Sequence, residues 1–117
     1  MFSGKKYNWF KISESLNSIP WQSNNLCIVE VDGKSITLAK WEERLYAFSH
    51  KCPHAGGILA DGEVDVTGNI VCPVHHYKFK LGTGFNTSGE GFYLKNYVVE
   101  QRNDGFYVGL EQKGFFN

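Results

Sequence analysis

Apolar and polar residues alternate with period two toward both ends of the chain. Within Leu26–Val31, the residues Cys27, Val29 and Val31 fall on one face, and Ile36 and Leu38 share a face shortly afterwards, as half-buried strands require. Tyr7–Ile12 and Arg44–Ser49 are read as further strands. Asp32-Gly33 has the chemistry of a two-residue turn with positive φ, and Asp104-Gly105 is expected to play the same part between Tyr97–Arg102 and Phe106–Glu111. No stretch carries a sustained i, i+3, i+4 apolar stripe, so no core helix is expected, and Ser13–Asn17 has room for one turn at most. The pattern is that of an all-β chain.

Length and composition narrow this further. At 117 residues and 13.3 kDa the chain is expected to form a single domain over 1–117. Hydrophobic residues at 42% and charged ones at 21% suit a folded core. Lys and Arg balance Asp and Glu at a net charge of zero, so nothing in the charge balance suggests nucleic acid or anionic lipid, both of which select for basic surfaces, and neither is expected as a partner. Uninterrupted apolar runs reach four residues, against the roughly 18 that a membrane-spanning helix needs. Neither a secretory signal nor a transit peptide is visible in MFSGKKYNWF, and a cytoplasmic location is expected. Three cysteines cannot all pair within one chain, which argues for a reducing compartment.

The chemistry is concentrated between His50 and Gly91, where eight of the thirteen glycines, both Cys52 and Cys72 and all four histidines lie. Glycine at that density implies unusual backbone angles or close backbone approach. Cys52-Pro53-His54 and Cys72-Pro73-Val74-His75 form the pattern C-x-H-x17-C-x2-H. Two thiols and two imidazoles suit tetrahedral zinc in kind, and a zinc-stabilised, non-redox binding module is one reading. Zinc pairs usually leave two to five residues between neighbouring ligands, whereas Cys52 and His54 leave one. A single spacer favours dividing each pair between two metals, which a 2Fe-2S cluster permits: one iron takes both thiolates, the other both imidazoles.

The segments CPHAGGILADGEV and NIVCPVHHYKFKLGTG resemble the Rieske-type ferredoxin family closely over residues 52 to 84. The resemblance implies an all-β, Rieske-like antiparallel sandwich or barrel with an inserted cluster-binding subdomain at about residues 48–86. It implies Cys52, His54, Cys72 and His75 as ligands of one 2Fe-2S cluster, and a one-electron carrier rather than an enzyme, with no catalytic residues. A flavin-dependent reductase upstream and a terminal oxygenase or similar oxidoreductase downstream are the implied partners, docking around Ala55, Gly56, Gly57 and Ile58. The nearest alternative is a small subunit of an oxidoreductase such as assimilatory nitrite reductase.

Departures from the family pattern are informative. Gly57 and Val74 stand where respiratory and photosynthetic relatives carry an additional disulfide, so that bridge is absent. The serine and tyrosine hydroxyl donors of those relatives are replaced by Tyr77 and Phe79, and fewer donors stabilise less added charge. The expected potential lies in the lower part of the Rieske range of roughly −150 to +300 mV, and falls as pH rises. His76 occupies a position usually held by glycine; His is among the residues less disfavoured at positive φ, and the C-x2-H spacing selects His75 over His76 as ligand.

Other residues receive plainer readings. Cys27 reads as a small buried hydrophobe, His50 as a hydrogen-bonded structural histidine, and Asp61, Glu63 and Asp65 as a solvated face. Trp9, Trp21 and Trp41 are expected in core packing, and Tyr77 is expected to shield the cluster.

Overall fold

The computed structural model describes residues 6–53, 56–87 and 93–112. Strands β1 (Tyr7–Ser13), β2 (Leu26–Val31), β3 (Lys34–Trp41), β4 (Arg44–Ser49), β8 (Asn96–Arg102) and β9 (Gly105–Glu111) form one antiparallel sheet in the order β1-β9-β8-β4-β3-β2. A second sheet, in the order β5-β6-β7, is made of β5 (Glu63–Val64), β6 (Asn69–Val71) and β7 (Lys78–Lys80). Short 3-10 turns lie at Leu16–Ser18 and Leu59–Asp61, and among the described residues no helix is long and apolar enough to cross a membrane. Residues 50–95 leave the large sheet at the end of β4 and rejoin it at β8, its neighbour.

Alternation along the strands produces two cores. Cys27, Val31, Ile36, Leu38, Leu45 and Ala47 turn toward Val108 of β9. Their neighbours Leu26, Ala39 and Phe48 point the other way, against Leu59, Ala60, Ile70, Phe79 and Leu81 of the inserted segment. Strand β3 is therefore buried on both faces, and the Thr37 hydroxyl, fully buried, donates to the Ser49 carbonyl at 3.0 Å. Full burial of side chains such as Leu26 and Phe48 contributes about 1.5–3 kcal/mol each. The inserted segment thus packs on a sheet whose far side already holds a core.

The three hairpin turns of the large sheet separate what local chemistry dictates from what it does not. Asp32 and Gly33, at φ of 52° and 77°, close β2 onto β3 as expected. The β8–β9 turn falls one residue earlier than expected, on Asn103 and Asp104, with Gly105 paired to Arg102. Gly105 has a φ of 144°, and a Cβ there would lie 2.3 Å from the Ser13 carbonyl oxygen, so this glycine serves both the end of the turn and the contact with irregular β1. Glu42 and Glu43 close β3 onto β4 at φ of 52° and 61°, a conformation that neither residue favours and that the pairing of long strands on both sides enforces.

Of the three tryptophans, Trp21 and Trp41 pack against the cores, as expected. Trp9 does not: its ring lies over Gly109 on the outer face of the sheet, with the Arg102 guanidinium 5.2 Å from its centroid. The glycine leaves a flat floor that accepts an indole from outside. Asp65 also departs from expectation. It is half-buried, and its carboxylate accepts hydrogen bonds from the Thr67 amide and hydroxyl and from the Asn69 amide and side chain, at 2.9–3.1 Å. Burial pushes this carboxyl up, but the Asn69 and Thr67 bonds outweigh it and hold the pKa at about 2. Asp61 and Glu63 are exposed, as expected of a solvated face.

Candidate metal centre

The two Cys-Pro segments form hairpin loops with the same closure. In loop 1 the Cys52 amide donates to the Gly57 carbonyl at 2.8 Å, and Lys51 pairs with Ile58 just outside. In loop 2 the Cys72 amide donates to the Tyr77 carbonyl at 2.8 Å, and Val71 pairs with Lys78. Each cysteine thus sits at the first position of a six-residue tip, held by its own backbone. Both thiols are buried, 3% exposed for Cys52 and 0% for Cys72.

Burial pushes the Cys72 thiol up to about 11; the Val74 amide, which donates to its Sγ at 3.4 Å, pulls it down, and the neighbouring Cys52 side chain raises it further through a hydrogen bond and charge repulsion. Two buried thiols in mutual contact resist ionising together, and a bound cation supplies the charge that lets both become thiolates. Room for such a group is kept by Gly57, where a Cβ would stand 2.8 Å from Val74 Cγ2 and 3.3 Å from Cys72 Sγ. The same Cβ would lie 3.4 Å from that of Val74, so the two positions that lack the additional bridge face each other across the loops.

His75 and His76 are exposed and both have positive φ, 64° and 58°. The expectation for His76 holds; the left-handed conformation of His75 was not foreseen. His75 lies beside Tyr77, with ring centroids 6.3 Å apart, and half-buried Tyr77 packs against the core that contains both cysteines. His76 lines a cleft of about 240 Å³ with Asp61, Glu63, Cys72 and Pro73. His54 and Ala55 lie outside the described residues. Among the described residues no three His, Cys, Asp or Glu side chains converge on one ion; a bridged pair of irons asks only two side chains of each metal.

Two residues outside the ligand set meet different fates. Cys27, pushed up to about 11 by burial, is the inert hydrophobe expected. His50 Nδ1 is buried without a partner among the described residues. Its backbone does the holding instead, as the carbonyl accepts the Leu59 amide at 3.1 Å.

A β scaffold presenting two matched loops, each with a buried thiol and the second with exposed imidazoles, defines a class of small metal-carrying domains. The chain belongs to the Rieske [2Fe-2S] domain family, whose model matches residues 8–91. It is 32% identical over 77 residues to the ferredoxin component of the naphthalene 1,2-dioxygenase/salicylate 5-hydroxylase systems of a Ralstonia species, spanning 66% of this chain and 70% of that protein. It spans about half the length of the Pseudomonas naphthalene dioxygenase ferredoxin components that it also matches.

Among solved structures, a chain in the complex of reduced oxygenase and oxidized ferredoxin in carbazole 1,9a-dioxygenase superimposes with a TM-score of 0.73 at 25% identity, over 90% of this chain and 95% of that one. A putative NADH-dependent nitrite reductase small subunit from Mycobacterium tuberculosis shares the fold, with a TM-score of 0.74 at 17% identity over 90% and 96%. The family's cofactor is a 2Fe-2S cluster, and the donor set here fits it: two adjacent buried thiols, an amide aimed at sulfur, and a glycine that keeps the space beside Cys72 open.

Proposed function

We propose that this chain is a one-electron carrier that receives electrons from a flavin-dependent reductase and hands them to a terminal oxygenase or similar oxidoreductase. It is a component of an oxidoreductase system and not itself an enzyme. In this reading Cys52 and Cys72 hold one iron and His54 and His75 the other, and the bound 2Fe-2S cluster supplies a single reversible electron-accepting level. Both thiols give up their protons when the cluster binds. The Val74 amide then faces a sulfur carrying more negative charge, and burial by the core around Phe48 and Phe79 keeps water from the thiolate side. The histidine side is exposed at His75, which offers a short route to a docked partner.

The observation that carries the reading is the mirrored closure of the two loops, which brings Cys52 and Cys72 together. Sequence identity to a ferredoxin component favours the free carrier, whereas the nitrite reductase small subunit shares fold alone. We further propose that residues 1–117 act as one domain with the cluster carried by about 48–86, and that the carrier works in the cytoplasm, where its unpaired cysteines stay reduced.

Anaerobically prepared protein is expected to be red-brown, to contain two irons and two sulfides per chain, and to give a rhombic paramagnetic signal on reduction with dithionite. Cys72→Ser is expected to abolish colour and signal together. A colourless protein holding a single zinc would overturn the reading.

A further inference from the structure

The segment that follows loop 1 is gripped by two side-chain amides from the turn that leads into β2. Asn24 Nδ2 donates to the carbonyls of Ala60 and Gly62, each at 3.0 Å, and Gln22 Nε2 donates to the Ala60 carbonyl at 2.9 Å. On its other side Asn24 Oδ1 accepts from the Leu26 amide and from Gln22 Nε2, both at 3.2 Å. Two donors face the oxygen and two acceptors face the nitrogen, so the orientation of this carboxamide is determined by its surroundings.

What the grip holds is the hinge between the loops. Loop 1 is tied to the 3-10 turn Leu59–Asp61 through the Leu59 amide and the His50 carbonyl. Gly62 then runs against β6: a Cβ there would lie 2.1 Å from the Val71 carbonyl oxygen, and Val71 precedes Cys72. A shift of Ala60 and Gly62 therefore moves one cysteine relative to the other. Loop 2 has a different support, since the Leu81 carbonyl that follows β7 accepts from Asn96 Nδ2 and Trp41 covers Gly68 ahead of β6.

We infer that Asn24, assisted by Gln22, is a positioning residue that fixes loop 1 against loop 2 and so governs how firmly the chain retains its metal cluster. The inference rests on the proposed function for its consequence, though the clamp itself does not need a metal to be measured. Asn24 could matter instead only by stabilising its own turn through Oδ1 and the Leu26 amide, and one substitution separates the two roles. Asn24→Asp keeps the oxygen facing Leu26 but replaces the donor with a second acceptor aimed at two carbonyls. A turn-holding role is rescued by aspartate; a clamp is not.

The test measures two quantities on wild type, Asn24→Asp, Asn24→Ala and Gln22→Ala as purified: the rate of iron loss to a ferrous chelator after reduction, and hydrogen exchange of the Asp61 and Gly62 amides. Asn24→Asp and Asn24→Ala are both expected to lose iron about tenfold faster, as the loss of two neutral hydrogen bonds implies, with altered visible circular dichroism and a similar rise in exchange. Gln22→Ala, which removes one bond to the loop, is expected to show roughly a threefold effect. Wild-type behaviour of Asn24→Asp in both measurements overturns the inference. A wild-type protein without iron overturns the proposed function instead, and the exchange rates still decide whether the clamp exists.

Discussion

Loop 1 and loop 2 have the same length and the same cysteine-to-carbonyl closure, yet they reach it with different residues. At the fifth position loop 1 has Gly56, at φ of 71°, and loop 2 has His76, at 58°, preceded by His75 at 64°. A left-handed residue other than glycine costs roughly 1–2 kcal/mol. Loop 2 can carry that strain because it joins two paired strands, Asn69–Val71 and Lys78–Lys80, whereas loop 1 is flanked by the single bridge of Lys51 and Ile58. The closure is what the site requires. Either a permissive residue supplies it locally, or pairing outside the loop imposes it on a less willing one.

The largest test of this comparison lies where the loops meet. Gly62→Ala places a methyl group 2.1 Å from the Val71 carbonyl oxygen, and rigid backbone cannot yield as a side-chain tip would. We expect a loss of about 3 kcal/mol in urea unfolding together with loss of bound iron. A variant that keeps both shows that the two loops do not depend on this close approach.

Next in size is the carboxylate behind loop 2. Asp65 ties Thr67 and Asn69 into the turn that starts β6 and lies 3.6 Å from Lys78 Nζ. Its folded pKa, about 2, is below its ordinary 3.8, so its contribution is present above the unfolded value and is lost as pH falls through the folded one. The effect is on the order of 1–2 kcal/mol once solvent screening is allowed for. Asp65→Asn is expected to be less stable than wild type at neutral pH, with the gap closing between about pH 4 and pH 2. A gap that persists unchanged at the acid end assigns the effect to packing.

The smallest effects exchange the residues that distinguish the loops. Gly56→Ala meets open space but keeps φ positive, and we expect it to cost about 1 kcal/mol. His76→Gly relieves the same strain in loop 2 and is expected to raise thermal stability by about 0.5 kcal/mol, glycine's chain entropy offsetting part of the gain. If His76→Gly destabilises instead, the imidazole contributes more to loop 2 than its backbone costs.

Much of this molecule was legible before folding was considered. The Asp32-Gly33 hairpin follows from two residues that accept positive φ, and the period-two alternation of Cys27, Val29 and Val31 identifies the face that is buried. The paired Cys and His spacings point to the two loops because ligands for adjacent irons must come from short, tightly closed segments. Residues whose role depends on distant neighbours were not legible. Gly105 looked like a turn residue alone and also fits against Ser13; Trp9 looked like core and rests outside on Gly109; Asp65 looked like a solvated charge and organises a turn. Asn24 and Gln22 gave no signal, since their partners are backbone carbonyls of the inserted segment, 38 residues away in sequence.

Local chemistry along the chain thus determined the strands of the large sheet, one of the hairpin turns and the donor pairs, because alternation, turn preference and ligand spacing act over a few residues. The tertiary structure alone decided that β3 is buried on both faces and that two glutamates hold a left-handed turn. Those outcomes depend on backbone groups brought together from far apart in the chain, where steric exclusion and hydrogen-bond geometry, rather than residue type, choose among the possibilities.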